Sequence, residues 1–333
     1  MGLSLNKNFA KRFGLDITEN CLRIVEASFE HGGVSLVGAY EIPFHEDVIR
    51  RNKLTNLTKL ANYITEARLE AKPNATESVN FCVSLPSNII KLGHITLPLG
   101  NNAENKKIAE KKFAEDSGQQ YDECYADADA VSVNGKIGTE FLCSVATKEN
   151  IHSIVKISQM LSIVPCAIEP AVLANGRASL GFPVHNSRII CINIDYNSSF
   201  IALWERDQLI DVVNLPKVGL FQILEKNEIL DQELSRDKIN KLHLDKAKLR
   251  ESISEIIENI VVILSNPAAK RSGDLPVTKI YLSGSGAHLP KIDYIFEKEF
   301  HIPAAIKSIK FSNEQSVGPE FVTAYGLAMR RDA

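Results

Sequence analysis

The sequence lacks the patterns that mark a zinc, dithiol or P-loop protein. Its six cysteines (21, 82, 124, 143, 166 and 191) form no CxxC pair. That scatter excludes a zinc ribbon and a thioredoxin-like motif, and predicts free thiols in a reducing cytosol. The eight histidines show no HxxxH and no Cys/His ligand spacing. There is no GxSxG elbow and no GxxxxGK loop, which excludes the commonest serine hydrolase and P-loop NTPase layouts. No apolar run approaches the roughly 20 residues that a membrane-spanning helix needs. The longest candidate, IIENIVVIL (256–264), is interrupted by Glu258 and Asn259. The N-terminal MGLSLNKNFAKRF is mildly basic, but it has no long apolar core, no cleavage site and no Ser or Thr at position 6. It predicts neither a secretory signal nor myristoylation. Neither sign of charge dominates: 38 Lys and Arg against 41 Asp and Glu leave −3. A global basic field for nucleic acid or anionic lipid is thereby excluded. The lysines of 106–112 alternate with Glu104, Glu110 and Glu115 and read as a solvated helix face.

What the chain does have is length and an internal repeat. At 333 residues it exceeds the usual single-domain size, so two lobes are expected. DITENCLRIVEA (16–27) sits against DYNSSFIALWER (195–206). After an insertion from Ser28 to Gly33, VSLVGAYEIP (34–43) sits against DQLIDVVNLP (207–216). Each copy reads as strand, polar turn, strand, turn and third strand. In this alignment Asp16 matches Asp195, Leu36 matches Leu209, Ile42 matches Leu215 and Pro43 matches Pro216. Helical sequence follows each meander: 54–72 after the first, with apolar residues at helical spacing, then 220–230 and 246–265 after the second. Pro267 and RSGD are expected to close that last helix. Strand 279–286 and helix 289–300 follow. Between the halves, strands 79–86, 91–99 and 141–148 and helices 102–118 and 149–164 read as a small inserted α+β block. The expected division is 1–78 (first lobe), 79–165 (inserted subdomain), 166–187 (return to the first lobe), 188–318 (second lobe) and 319–333 (a helix packing on the first lobe).

With these segments in place, the chain resembles the actin-like ATPase superfamily, and within it the PilM branch of type IV pilus assembly proteins. FGLDITENCLRIVEAS (13–28) is similar to the branch's GLDIGSSSVKAVEL opening. MLSIVPCAIEPAVLANGRA (160–178), IYLSGSGAHLPKI (280–292) and PEFVTAYGLAMR (319–330) are similar to its later segments, in the same order. The resemblance implies a two-lobed α/β fold of duplicated ribonuclease H-like halves, with ATP and Mg²⁺ between them. It also implies a cytoplasmic protein, peripheral at the inner membrane, that binds the cytoplasmic N-terminal tail of a PilN-like membrane protein. The groove for that tail is expected between the small subdomain and the first lobe, near strands 79–86 and 91–99. Self-association is a further implied partner interaction. An active actin-fold ATPase and an FtsA-like cell-division filament protein are the alternatives. The latter usually carries an amphipathic membrane helix after the segment that here reads AMRRDA.

The resemblance also maps a nucleotide site: Asp16, Thr18, Asn20 and Arg23 in a first phosphate turn, Asp195, Asn197, Ser198 and Ser199 in a second, and Gly284, Ser285 and Gly286 in a third turn for the α-phosphate and adenosine. Asp16 and Asp195 would position Mg²⁺ through water; the alternative is turn initiation by Asx hydrogen bonding. Arg23 would face phosphate or be a solvated strand residue. Glycines let amides approach phosphate oxygens closely. Here Thr18, Glu19 and Asn20 replace Gly-Ser-Ser, and Asp195, Tyr196 and Asn197 replace Asp-Ile-Gly. Asn197 tolerates a left-handed φ, whereas Thr18 does not. A Glu19 carboxylate about 4 Å from a phosphate charge costs on the order of 4 kcal/mol at an effective dielectric near 20. The altered turns predict weak ATP binding at most and no hydrolysis.

Overall fold

The computed structural model describes residues 11–30, 33–45, 47–134, 138–181, 187–229, 236–266 and 275–330. It opens with an antiparallel meander, β1 (Phe13–Ile17), β2 (Cys21–Glu30) and β3 (Gly33–Pro43). A short hairpin, β4 (Ile49–Arg50) and β5 (Lys53–Leu54), leads to α1 (Leu57–Glu70). Asn56 caps α1 by accepting from the Lys59 amide, and Leu60, Ala61, Ile64 and Ala67 form its buried stripe. Strands β6 (Lys72–Pro73) and β7 (Asn80–Leu85) follow. The next segment has its own three-stranded sheet, β8 (Ile90–Leu97), β9 (Cys124–Asn134) and β10 (Gly138–Thr147), covered on one face by α2 (Asn102–Asp116). Helix α3 (Lys148–Leu161), β11 (Val164–Pro170) and α4 (Ala171–Leu180) lead to the second half.

That half repeats the plan. A meander of β12 (Arg188–Ile194), β13 (Ser199–Glu205) and β14 (Gln208–Leu215) precedes helices α5 (Leu220–Lys226), α6 (Arg236–Asn240), α7 (Lys246–Ser252) and α8 (Ser254–Ser265). Then come β15 (Val277–Ser283), α9 (Ile292–Phe300) and β16 (Ala304–Ile306). A last hairpin, β17 (Ile309–Lys310) with β18 (Ser316–Val317), and helix α10 (Val322–Ala328) end the described chain.

Five strands of the first large sheet repeat the order of the second, read from the opposite edge, and β6 is added antiparallel beside β3. The first runs β11-β7-β1-β2-β3-β6 and the second β14-β13-β12-β15-β16, each with its meander antiparallel and its two later strands parallel. This common topology makes the two halves a structural duplication. It yields the two-lobed actin-like α/β architecture. Strands β12 and β13 are buried along their whole length, which explains their unbroken apolar runs.

The structure corrects several boundaries. Strand β7 pairs in parallel with both β1 and β11, and α3 adds Ile154 and Ile157 to the first-lobe core. The separate small sheet therefore runs only from β8 to β10, not over 79–165. The 309–317 hairpin packs with Val25, Leu36 and Tyr325 in a first-lobe cluster, so the second lobe's own sheet ends at β16 rather than at 318. The helix expected over 246–265 breaks at Ile253, and that over 289–300 begins at Ile292, after Lys291 in a left-handed conformation. Pro267 and the RSGD stretch lie outside the described residues.

Candidate functional site

The two turns at the heads of the meanders face each other between the lobes. In the first, Ile17 pairs with Leu22, and the Thr18 amide closes the turn on Cys21 O (2.9 Å). In the second, Ile194 pairs with Ser199, and the Asp195 amide closes on Ser198 O (2.8 Å). These registers make Thr18, not Asp16, the counterpart of Asp195. The counterpart of Asp16 is Asn193. The third strands keep the phase read from the sequence, since Leu22 opposes Ile42 and Ser199 opposes Leu215. The Asp-on-Asp alignment was therefore two residues out of register, because each half carries an aspartate within two positions of its turn.

Neither turn keeps a glycine-like conformation. Among the described residues, neither Thr18 nor Asn197 has positive φ. The Thr18 hydroxyl accepts from the amides of Cys21 (3.0 Å) and Asn20 (3.4 Å). It also stands 2.9 Å from Cys21 O as a donor. Two amides that such a turn would offer an anion are thus engaged from within. Asn20 O accepts from Phe44 N (2.8 Å). Glu19 does not project freely: Asn88 donates to its carboxylate at 2.8 Å. The second turn is anchored from below. The amides of Leu220 and Phe221 donate to Asp195 O and Tyr196 O, both at 2.8 Å. Gly219 lies so close beneath that a Cβ would collide with Tyr196 O and the Asn197 and Ser198 backbone. Ser199 Oγ donates to Val218 O, and Asn197 and Ser198 are half-buried. In the third turn Gly284 has φ +82° and donates to Pro319 O (2.9 Å). Gly286 is buried against Ile194.

At the centre stands Arg23, 1% exposed. Its Nε donates to Glu41 at 2.5 Å, one terminal nitrogen to Asp195 Oδ1 at 2.7 Å and the other to Ser285 Oγ at 2.8 Å. Asp16 lies 3.6 Å away. Burial works against the charge of Arg23, but the surrounding carboxylates, Asp195 foremost, outweigh it and hold its pKa well up. The same burial pushes the Asp16 carboxyl up to about 6, although Arg23 draws it down; Asp195 pushes it further up, and the hydrogen bond from Ser84 (2.6 Å) draws it down. Asn193 donates to the second oxygen of Asp195 (2.9 Å) and belongs to a buried polar knot with Asn175 and Ser283. The Cys21 thiol, pushed by burial to about 12, offers no nucleophile.

The structure therefore gathers Asp16, Arg23, Asp195 and Ser285 into one cluster. Arg23 is not a solvated strand residue, and a guanidinium sits by the two aspartates assigned to Mg²⁺. The guanidinium occupies the position beside both aspartates, and the cluster sets three carboxylates, Asp16, Glu41 and Asp195, around one cation. The cavity between the turns, bordered by Leu85, Leu92, Val172 and Phe200, measures about 50 Å³. A single buried water needs roughly 10–15 Å³, so this space has room for a few waters. Glu41, Ser84, Asn88 and Asn193 went unrecognised in the sequence. Glu41 was the most accessible of these, since the meander register sets it directly opposite Arg23.

No family model matches the chain, and no curated protein does. Solved structures do. A chain of the PilM-PilN type IV pilus biogenesis complex superposes with a TM-score of 0.72 at 17% identity, covering 96% of this chain and 98% of that one. The ethanolamine utilization protein EutJ from Carboxydothermus hydrogenoformans gives 0.54 at 13% identity, over 95% and 89%. MreB 5 of Spiroplasma citri bound to AMPPNP gives 0.51 at 10% identity, over 96% and 95%. At these identities the likeness establishes the actin-like fold. No helix among the described residues is long and apolar enough to cross a membrane.

Proposed function

We propose that the chain is a PilM-like scaffold of a type IV pilus, or of a related secretion or DNA-uptake platform. It works at the cytoplasmic face of the inner membrane and holds the N-terminal tail of a PilN-like membrane protein. ATP binding is weak or lost, and the chain is not a working ATPase. The observation that carries this reading is the state of Arg23. In a fold built to close on a nucleotide, the cation that would meet phosphate is already paired with Asp195 and Glu41. The likeness in length and fold to a chain of the PilM-PilN complex supports the scaffold and its partner.

The expected tail groove needs one revision. Strand β7 is interior to its sheet, so it has no free edge for an extended peptide. Strand β8, at the edge of the small sheet, keeps one side without a strand partner. The tail-binding face is therefore assigned to β8 and its surroundings.

The test is direct. The purified chain is titrated with a synthetic peptide of the cytoplasmic tail of the PilN-like protein from the same cell, and in parallel with Mg-ATP. Saturable tail binding without nucleotide supports the scaffold. A micromolar or tighter Kd for Mg-ATP, or capture of a division-ring tubulin homologue in place of the tail, defeats it.

A further inference from the structure

The contacts of Arg23 are divided between the lobes. Glu41 and Asp16 lie on its own sheet, while Asp195 and Ser285 belong to the second lobe, 2.7 and 2.8 Å away. Asp195 stands at a turn position whose counterpart in the first lobe is Thr18, at the head of the same type of four-residue turn. Its side chain is aimed across the cleft rather than into solvent. One oxygen meets the guanidinium and the other is fixed by Asn193 at 2.9 Å. Asn193 is in turn locked by Ser283 at 3.1 Å. A carboxylate with one oxygen on a guanidinium and the other on an amide N–H is presented much as a bound phosphate oxygen pair would be.

We propose that Asp195 is a built-in substitute for a bound phosphate. Its carboxylate, engaged by Arg23, holds the lobes together without nucleotide. The lobe angle is then set by the chain itself rather than by the hydrolysis state of a ligand. This goes beyond the scaffold reading and does not depend on which partner is bound.

The experiment compares the full wild-type chain with Asp195→Asn, which keeps the side-chain shape and removes its charge. Amide hydrogen exchange is followed at 195–199 and 283–287, and inorganic pyrophosphate is titrated calorimetrically. Exchange in both turns is expected to quicken about tenfold. Pyrophosphate is expected to bind about tenfold more tightly than to the wild type, since Arg23 loses its cross-lobe carboxylate and one repelling charge is removed. Wild-type exchange in the variant overturns the proposal. So does faster exchange with no gain in pyrophosphate binding, because Asp195 would then be a structural ion pair and no stand-in for an anion. If Asp195→Asn does not fold, Ser285→Ala removes the other cross-lobe bond without leaving a charge unpaired. It should quicken exchange at 283–287 by about threefold, and an unchanged rate there also overturns the proposal.

Discussion

The two meander turns occupy the same place in two copies of one topology, yet each bonds its polar groups in its own way. The first turn closes on itself: the Thr18 hydroxyl takes the amides of Asn20 and Cys21. The second is pinned from beneath by the Leu220 and Phe221 amides and sends Asp195 outward to the opposite lobe. One turn satisfies its donors locally, while the other supplies the ligand for its neighbour's arginine. Two copies of one turn thus need not be bonded alike. A polar residue at the head of a turn can serve its own backbone or the facing lobe, depending on whether its side chain is a short hydroxyl or a longer carboxylate.

Four measurements sharpen that contrast. The largest effect is expected for Arg23→Ala, which leaves Asp16, Glu41 and Asp195 without their shared cation. Urea unfolding should register a loss of about 3–5 kcal/mol; a loss below about 1 kcal/mol would mean that the cluster does not join the two turns.

Next comes Asp16, which belongs to the first lobe but feels Asp195 of the second. Its folded pKa of about 6 lies above the ordinary 3.8, so the unfolded chain ionises first as pH rises. Wild-type stability should therefore fall relative to Asp16→Asn as pH climbs from 4 to 6, and the difference should level off above 7. The shift of about two pKa units caps the change at roughly 3 kcal/mol. Paired denaturant melts at several pH values measure it, and a difference that grows in the other direction refutes the assignment.

Gly219→Ala attacks the second turn alone. The added methyl collides with backbone atoms that cannot swing aside, so a loss of about 1–3 kcal/mol is expected. Thr18→Val attacks the first turn alone. It keeps the shape and deletes the acceptor for two amides, for about 1–2 kcal/mol. The same melts read both. Among the described residues Gly219 and Thr18 share no partner, and both lie outside the Arg23 cluster that links the lobes, so the double variant should be additive within about 0.5 kcal/mol.

Much of the architecture was legible in the sequence because strand alternation and turn chemistry repeat across the halves. Ile42 and Leu215, with the prolines after them, fixed the third strands. The register of the first hairpin was not legible. Asp16-Ile17-Thr18 and Asn193-Ile194-Asp195 each put a polar residue on both sides of an isoleucine, so aspartate identity pulled the alignment two residues away from the pairing that the backbone adopts. Strand β9 was missed because CYADADAV offers small and acidic residues where an edge strand would usually show branched ones. The inserted block was drawn too wide because β7 reads as well beside β8 as beside β1; only the parallel partner, brought from across the chain, decides. The candidate site was legible as a position but not as a state. The sequence located Arg23 and both turns, but the carboxylates around the arginine come from three separated segments.

Helix α10 has a consequence for synthesis on the ribosome. All seven of its residues are buried. It lies directly on β1, where a side chain at Gly14 would strike the backbone of Ala324 and Ala328, and it crosses α4 at Gly326 against Ala174. Strand β1 thus waits for a segment translated roughly 310 residues later. Chains emerge at about 5–20 residues per second, so the roughly 310 residues that separate the two take some 15–60 seconds. Throughout that interval the second half, whose own sheet and helices form one continuous core, is free to complete itself while the first half stands open on one face. In a nascent chain of this protein the second-half core is therefore expected to become protease-resistant before β1, which is sealed only when α10 arrives.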